Sequence, residues 1–231
     1  MALLSALRPS SDGAAFTVRD ARPADTGAFM RVIALADPID PDPFGLARDV
    51  LASPPTPPLS HDRSLALVAE DNDTGTVIGA LLGGPPKWLF THPGIDRLPL
   101  LERLVGRVGM INGLAVHPDH RRRGVAAALM SAAEQRFTRA RYGVMTVDHE
   151  PALDDFYRHQ GYTIGDALLV HLPQQRLIGM TTDDTRMSAK PLHPAVRLAD
   201  VPGAPHRVIT GLVPGASLPD DAVFDGTRLR Y

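Results

Sequence analysis

The most regular pattern of apolar residues lies between positions 123 and 139. Apolar side chains recur there every four residues, from Val125 to Phe137. This spacing places them on one face of an α-helix, with polar residues on the opposite face. We therefore predict a long helix over residues 123–139 that packs one side against a core.

Shorter apolar runs bounded by turn residues predict strands. Residues 64–70 and 76–82 flank the turn sequence at 71–75, Asp-Asn-Asp-Thr-Gly, which is typical of a hairpin. Residues 108–116 and 142–147 flank the long helix, and this strand–helix–strand order is typical of a parallel crossover. The remaining predicted elements are strands at 16–20, 162–172 and 186–192 and helices at 23–36, 99–107 and 151–160.

The order of these elements predicts the fold class. An antiparallel hairpin followed by a parallel crossover gives a mixed α/β domain. Proline-rich stretches at 53–58 and 83–86 predict irregular connections. We expect a flexible N-terminus at residues 1–15, a domain at 16–192, and a proline-rich C-terminal extension at 193–231 that packs on the domain or on a partner subunit.

Composition limits the classes of function. The chain has 231 residues, of which 44% are hydrophobic and 22% are charged, an ordinary balance for a soluble globular protein. Its 24 basic and 26 acidic residues leave a net charge of −2, so no global feature indicates a nucleic-acid or membrane partner. The absence of cysteine excludes disulfides, a cysteine nucleophile and thiolate metal sites. It also fits a cytoplasmic protein, and no apolar run predicts a membrane span.

Candidate chemistry lies at the junction between the strand at 108–116 and the long helix. Pro118 stops the strand, arginines follow at 121–123, and Gly124 opens the helix. The first amides of a helix have no partner inside it, and the helix dipole adds partial positive charge there. Small residues at Gly124 and Ala126 let a ligand approach the main chain closely. The segment therefore suits a diphosphate, although the same pattern also occurs in solvated surface turns.

Two segments carry a resemblance to a known family. The stretch 116–126, Val-x-Pro-x-x-Arg-x-x-Gly-x-Ala, resembles the central V-x-P-x-x-[QR]-x-x-G-x-[GA] motif of the GNAT superfamily of acyl-CoA-dependent N-acetyltransferases. Residues 156–162, Phe-Tyr-Arg-His-Gln-Gly-Tyr, resemble the FYxxxGF segment of that family. The resemblance implies a central mixed sheet of about six to seven strands flanked by helices, in which the parallel strands 108–116 and 142–147 splay apart.

The resemblance also implies a reaction and a co-substrate. An acetyl (acyl) group would move from acetyl-CoA, or another acyl-CoA, to a primary amine by direct attack in a ternary complex, without a metal. The pyrophosphate of coenzyme A would lie on the amides of residues 121–126, and the pantetheine arm would pair with the main chain of residues 114–116 like an additional strand. Gly113 suits the bulge that the family often has in this strand. The implied coenzyme A contacts are Leu114, Ala115, Val116, Arg121, Arg122, Arg123, Gly124, Val125, Ala126, Phe156 and Tyr157.

The catalytic groups are indicated only in part. The resemblance implies Tyr157 as the general acid for the leaving thiolate, whereas its apolar neighbours also fit a core aromatic. The oxyanion donor is expected to be a main-chain amide near Val116. Many family members carry a glutamate base where this chain has Asn112, which cannot take a proton near neutral pH. Glu150 acts through water under one hypothesis and caps the helix at Pro151 under another, while an ordered water chain without a dedicated base is a third.

The acceptor site is indicated less directly. Asp148 and His149, at the end of the strand after the long helix, are candidates beside Glu150 and are equally compatible with plain surface positions. An acidic loop, Asp37-x-x-Asp40-x-Asp42, is suited to attract a cationic amine, although such loops are usually just solvated. The predicted substrate-binding residues are Asn112, Trp88, Phe29 and Asp148, with Phe90 and His92 as further candidates for the pocket wall or for core packing.

The sequence is compatible with more than one function. We favour a small-molecule amine over a protein or peptide as the acceptor, and a non-catalytic acyl-CoA-binding or regulatory domain is the main alternative class. A two-histidine, one-carboxylate iron site made of His117, Asp119 and either His171 or His193 would instead indicate an oxygenase. No nucleic-acid or membrane partner is expected, and a homodimer is compatible with the family.

Overall fold

The structure is a computed structural model that describes residues 15–37, 44–182 and 184–231. Its strands, numbered along the chain, are β1 (Phe16–Asp20), β2 (Leu65–Asp71), β3 (Val77–Gly84), β4 (Val108–Val116), β5 (Val144–His149), β6 (Ala167–Leu172), β7 (Arg176–Thr181), β8 (Arg186–Pro191), β9 (Arg197–Ala199), β10 (Val208–Thr210), β11 (Val223–Phe224) and β12 (Leu229–Arg230). Its α-helices are α1 (Thr26–Ile33), α2 (Leu46–Leu51), α3 (Trp88–Thr91), α4 (Leu98–Val105), α5 (Val125–Arg139) and α6 (Asp154–His159).

The largest sheet has six strands in the order β1-β2-β3-β4-β5-β8. All neighbours are antiparallel except β4 and β5, which run parallel and are joined through α5. The predicted mixed α/β class, the β2–β3 hairpin and the parallel crossover are therefore confirmed. Residues 163–165 extend the sheet beyond β8, because Thr163 exchanges main-chain hydrogen bonds with Ala189.

Helices cover both faces of this sheet. The apolar stripe of α5, including the fully buried Phe137, packs against Leu81 and Ile111. Alternate residues of β2 and β3 face the other way and pack against α1 and α2. The helix α5 begins at Val125, later than predicted, because Gly124 before it has a left-handed backbone that no α-helix continues.

The parallel strands β4 and β5 separate partway along their length. Between these two strands the pairing covers only Val108–Ile111 with Val144–Val147, whereas β4 continues to Val116. A register shift against β3 makes Asn112 the extra residue of a β-bulge, next to Gly113. The splayed strands and the bulge implied by the family resemblance are therefore both present, and they open a gap beside the second half of β4.

A second sheet, of order β7-β6-β10-β9, differs from the prediction. The strand predicted at 162–172 is divided: residues 163–165 lie beside β8, and the chain then bends at Asp166 into β6, which pairs with β7 and β10. The strand β7 lies in a segment for which we predicted no element. Because β6 takes one neighbour from far along the chain, its local pattern gave no sign of this division.

Residues 193–231 pack on the rest of the chain in this structure. Strand β10 pairs in parallel with β6. Val196, Ile209 and Leu212 share an apolar cluster with buried residues of β5, β6 and β8. The extension therefore completes a core, whereas the boundaries of the three predicted regions stay predictions and residues 1–14 lie outside the described chain.

We expect the Ile209→Val variant to lower the free energy of unfolding by about 1 kcal/mol. Ile209 is fully buried in that cluster, and trimming isoleucine to valine at such a position typically costs about 0.5–1.5 kcal/mol. Chemical denaturation measures the difference. The control is Val223→Ala at a side chain that is 43% exposed, which should stay within about 0.5 kcal/mol of wild type. Equal losses in the two variants would contradict a core role for the extension.

We expect His171 to make the stability of the second sheet pH-dependent. Its ring is fully buried, with Nδ1 3.1 Å from Thr210 Oγ1, and burial lowers its pKa below the ordinary value of 6.5. Near and below pH 6.5, His171 takes up a proton more readily in the unfolded chain than in the folded chain. The free energy of unfolding therefore falls as the pH drops.

Thermal unfolding at about pH 7.5 and about pH 5 tests this expectation. The wild type should lose more stability on acidification than His171→Gln, which has no imidazole to protonate. The exposed His159 provides the matched control, because His159→Gln should lose as much as the wild type. An identical acid loss in all three proteins would rule out His171 as the source.

Candidate active site

The N-terminus of α5 presents outward-facing main-chain amides. Gly124 precedes the helix in a left-handed conformation, with φ of +81°, and has no side chain to cap it. The first hydrogen bond of the helix runs from Ala128 N to Gly124 O at 3.0 Å, so the amides of Val125 and Ala126 lie before it. An added Cβ on Gly124 would meet no atom within 4 Å. These amides and the helix dipole together make an open site suited to an anion.

Three exposed arginines precede this helix N-terminus. Arg121 donates from Nε to the main-chain oxygen of Val116 at 3.2 Å, which ties its side chain to the end of β4. Arg122 has a left-handed backbone, with φ of +61°, and turns the chain toward the helix. The three predicted arginines therefore lie together in one turn, and Arg121 is tied to the end of β4.

Within the described part of the chain, the gap between β4 and β5 leaves one edge of β4 without a neighbouring strand. Residues 114–116 pair with β3 on one side, while the pairing with β5 on the other side has already ended at Ile111. Main-chain groups at such an edge can pair with an extended ligand. The chain runs from this edge through the turn Pro118–His120 to the α5 N-terminus. The predicted pantetheine and diphosphate contacts therefore follow one another closely along the chain.

Tyr157, on α6, is a buried member of an aromatic cluster. Its side chain is 4% exposed, and its ring stacks on His149 with 4.3 Å between centroids and 28° between planes. Phe156 and Tyr162 meet it edge to face. Burial raises the Tyr157 pKa above its ordinary value, and the Asp148 carboxylate raises it further. The phenol therefore keeps its proton at neutral pH and is available as a proton donor, although it is also part of the core.

His149 is buried, so the alternative that it is a plain surface residue is wrong. It is 5% exposed, its Nε2 lies 2.8 Å from Ser188 Oγ, and its Nδ1 lies 2.9 Å from the main-chain oxygen of Glu150. Alternation along β5 explains this position, because Asp148 faces solvent and its neighbours face inward. The polar Asp-His-Glu triplet gave no sign of which of its members faces inward. Ser188 carried no signal that marked it as part of the site.

Glu150 and Asp148 both lie exposed at the end of β5. Glu150 occupies the N-cap position of the turn Pro151–Leu153, but its side chain makes no capping hydrogen bond. The Leu153 amide donates instead to the main-chain oxygen of Glu150 at 2.9 Å. The capping hypothesis is therefore wrong, and an exposed carboxylate stands at this position.

Asn112 has a polar neighbour, Ser64, that no sequence motif marks. A Cβ added to Gly84 would lie 3.5 Å from Asn112 Nδ2 and 3.4 Å from Ser64 Oγ, so these two side chains flank the same glycine. Both residues are half-buried. Two neutral hydrogen-bonding groups therefore lie where the family resemblance implied a glutamate.

The other predicted acceptor residues do not form one wall. Phe29 is fully buried between α1 and the sheet, which contradicts its predicted role in substrate binding. Trp88 packs half-buried on the apolar cluster that contains Ile209, and its Nε1 has no hydrogen-bond partner among the described residues. His92 Nε2 lies 3.1 Å from the main-chain oxygen of Gly179, so it ties the segment after α3 to β7. Phe90 is 56% exposed.

The structure also bears on the iron-site hypothesis and on whether a helix could cross a membrane. Across 15–37, 44–182 and 184–231, no group of three or more histidine, cysteine, aspartate or glutamate side chains could hold a metal ion, and His171 contacts Thr210 instead of the predicted iron ligands. Over the same ranges, no helix has both the length and the apolar character that a membrane crossing requires. Asp40 and Asp42 of the predicted acidic loop lie outside the described residues.

Comparisons with known proteins point to acetyl transfer. A family model described as an acetyltransferase (GNAT) domain matches residues 62–164. A protein of Yersinia pestis named acetyltransferase is 30% identical over 115 residues, which cover 48% of this chain and 67% of that protein. The matched region of the family model includes both the α5 N-terminus and Tyr157.

Solved structures share the fold. The phosphinothricin acetyltransferase of Sinorhizobium meliloti, solved with AcCoA, gives a TM-score of 0.52 at 16% identity over 77% of this chain and 88% of that one. The ribosomal-protein-S18-alanine N-acetyltransferase of Escherichia coli gives 0.51 at 14% identity over 78% and 96%. A putative acetyltransferase of Salmonella typhimurium, solved with acetyl-CoA, gives 0.50 at 21% identity over 78% and 95%. At these identities the likeness establishes the fold alone.

Proposed function

Since the chain belongs to the GNAT family of acetyltransferases, we propose that it transfers an acetyl group from acetyl-CoA to the primary amine of a small molecule. The amine would attack directly in a ternary complex. One observation carries this proposal: the gap between β4 and β5 lies beside the outward-facing amides of Val125 and Ala126. A ligand that joins a diphosphate to an extended amide-containing arm has the chemistry that both features favour.

The residues present fit the two ends of such a co-substrate. The amides from Gly124 to Ala126, with Arg122 and Arg123 beside them, would hold the diphosphate. The open edge of β4 at residues 114–116 would pair with the amides of the pantetheine arm. Phe156, half-buried beside Tyr157, would border the thioester end.

Tyr157 supplies the proton for the leaving group in this proposal. Aminolysis forms a carbon–nitrogen bond and breaks the carbon–sulfur bond, and the departing thiolate needs a proton. The phenol of Tyr157 is protonated at neutral pH because burial raises its pKa, and water can return the proton after each turnover. A main-chain amide near Val116 would donate to the oxyanion that forms during the attack.

The acceptor amine loses its proton to solvent-exposed groups in this scheme. Asn112 and Ser64 are neutral, so they can orient an amine through hydrogen bonds but cannot take its proton. Asp148 and Glu150 stand exposed at the end of β5. We assign Glu150 the role of accepting the proton through intervening water.

A small acceptor fits the crowded face opposite α5 better than a peptide does. That face carries α1 and α2 on one side, and on the other it carries α3, α4 and the second sheet. A peptide needs an open groove, whereas a small amine needs only a pocket. We therefore place a small-molecule amine before a protein or peptide terminus.

A thiol-release assay tests the proposed function. Acetyl-CoA and longer acyl-CoAs would each be combined with polyamines, aminoglycosides, amino acids and short peptides, and free thiol would be measured. We expect turnover with acetyl-CoA and at least one small amine. Turnover with peptides alone would show that the acceptor is a protein or peptide and not a small-molecule amine. Calorimetric binding of acyl-CoA without turnover on any amine would favour a non-catalytic acyl-CoA-binding domain, and no binding heat with any acyl-CoA would contradict the proposal as a whole.

A further inference from the structure

The ring of Tyr157 is held by its neighbours more than by its own helix. The helix α6 has only six residues, and a helix so short has little rigidity of its own. The Tyr157 ring lies face to face with the imidazole of His149, with 4.3 Å between the ring centroids. The contacts with Phe156 and Tyr162 are edge to face, at 5.0 and 5.7 Å. The plane of the phenol is therefore set chiefly by the one ring that lies flat against it.

The imidazole of His149 is itself fixed at both nitrogens. A main-chain oxygen can only accept, so Nδ1 carries the hydrogen and donates to Glu150 O at 2.9 Å. Nε2 then accepts from the Ser188 hydroxyl at 2.8 Å. Ser188 is fully buried on β8, where it pairs with Val147 of β5. A continuous set of contacts therefore runs from β8 of the main sheet through His149 to Tyr157.

This arrangement has the connectivity of a hydrolytic triad, but it cannot act as one. Asp154 Oδ1 lies 3.9 Å from His149 Nδ1, so a serine, a histidine and an aspartate lie in series, although Nδ1 donates its hydrogen to Glu150 O. A nucleophilic serine must be reachable by the acyl group it attacks. Ser188 has no exposed surface, so the series has a structural use within the protein and not a covalent one.

We propose that His149 is a positioning residue for Tyr157, held in place by Ser188. This inference rests on the proposed function, because it needs Tyr157 to deliver a proton to the thiolate. His149 does not touch the reacting atoms in this scheme. Loss of its flat contact would let the phenol rotate about its side-chain bonds, and a misplacement of about 1 Å can cost about a hundredfold in rate.

Two variants test the two parts of the arrangement. Ser188→Ala keeps the imidazole but removes its hydrogen-bond donor, and we expect kcat to fall by about three- to tenfold. His149→Asn keeps a side-chain donor near Glu150 but removes the flat ring, and we expect kcat to fall by at least about tenfold. Calorimetry should give an acetyl-CoA Kd within about twofold of wild type for both, because neither residue lies at the anion site. His159→Asn and Ser217→Ala, both at exposed positions, are the matched controls and should keep the wild-type kcat.

A double-mutant cycle separates positioning from a general loss of structure. In a Tyr157→Phe background there is no phenolic proton to aim, so His149→Asn and Ser188→Ala should lower kcat no further. Losses that multiply in the double variants would overturn the inference, and so would an unchanged kcat in Ser188→Ala and His149→Asn. If His149→Asn unfolds at assay temperature, the cycle is measured with Ser188→Ala and Tyr157→Phe only. A wild-type protein that binds no acetyl-CoA would instead overturn the proposed function, and this inference with it.

Discussion

A Gly124→Val variant is expected to bind acetyl-CoA about a hundredfold more weakly than the wild type. Gly124 has φ of +81°, where a β-branched residue is strained, so the turn must change and move the amides of Val125 and Ala126. The new side chain would also enter the open space in front of those amides. Losing one or two hydrogen bonds to a charged group accounts for a loss of this size.

Isothermal titration with acetyl-CoA measures the loss, and the chain offers a matched control. Gly215 also has a left-handed backbone, with φ of +77°, and has no atom within 4 Å of an added Cβ. Gly215→Val therefore introduces similar backbone strain away from the anion site and should leave the affinity unchanged. Unchanged affinity in Gly124→Val would show that the helix N-terminus does not hold the diphosphate.

The Tyr157→Phe variant is expected to lower kcat at least tenfold, and general acid catalysis at such a position can contribute about a hundredfold or more. The substitution removes one hydroxyl and keeps the ring that packs on His149 and Phe156. Affinity for acetyl-CoA should therefore stay near the wild-type value. Because burial raises the Tyr157 pKa, the loss of kcat should persist across the neutral pH range in which the phenol is protonated.

Steady-state kinetics beside calorimetry tests the Tyr157→Phe expectation. Tyr142→Phe is the matched control, because Tyr142 belongs to the same core cluster and its hydroxyl is also buried. It should keep the wild-type kcat. If both variants kept full turnover, Tyr157 would be a core aromatic only, and the thiolate would have to take its proton from another group.

Local patterns account for the part of the fold that the sequence predicted well. The helix α5 and the strands β4 and β5 are adjacent in the chain, and each has its own apolar period, so their parallel arrangement followed from the sequence. The second sheet depends on β10 pairing with β6 across a long separation. Short strands such as Val208–Thr210 have too few residues to show a period, so this pairing was not predictable.

The candidate site, like the fold, was predictable from the sequence only in part. The candidate anion site could be located from the sequence because its amides belong to the main chain, and a glycine at a helix start indicates them whatever the other side chains are. Burial of individual side chains was harder to infer. Phe29 was predicted as a substrate contact but lies in the core, and the surface position considered for His149 is wrong because its side chain is buried. Both errors concern which way a side chain faces, and that depends on neighbouring elements brought in by the fold.

The position of β10 also bears on how the chain is made. The main sheet has all six of its strands once Pro191 has been synthesised, whereas β10 must enter between β6 and β9 after that point. Until β10 has been synthesised, one edge of β6 lacks the strand with which it pairs in the folded chain. During that interval the apolar surface of β6 lacks its last partner strand. Exposed apolar surface and unpaired strand edges favour aggregation and chaperone binding, so this late interval is a vulnerable stage of biogenesis.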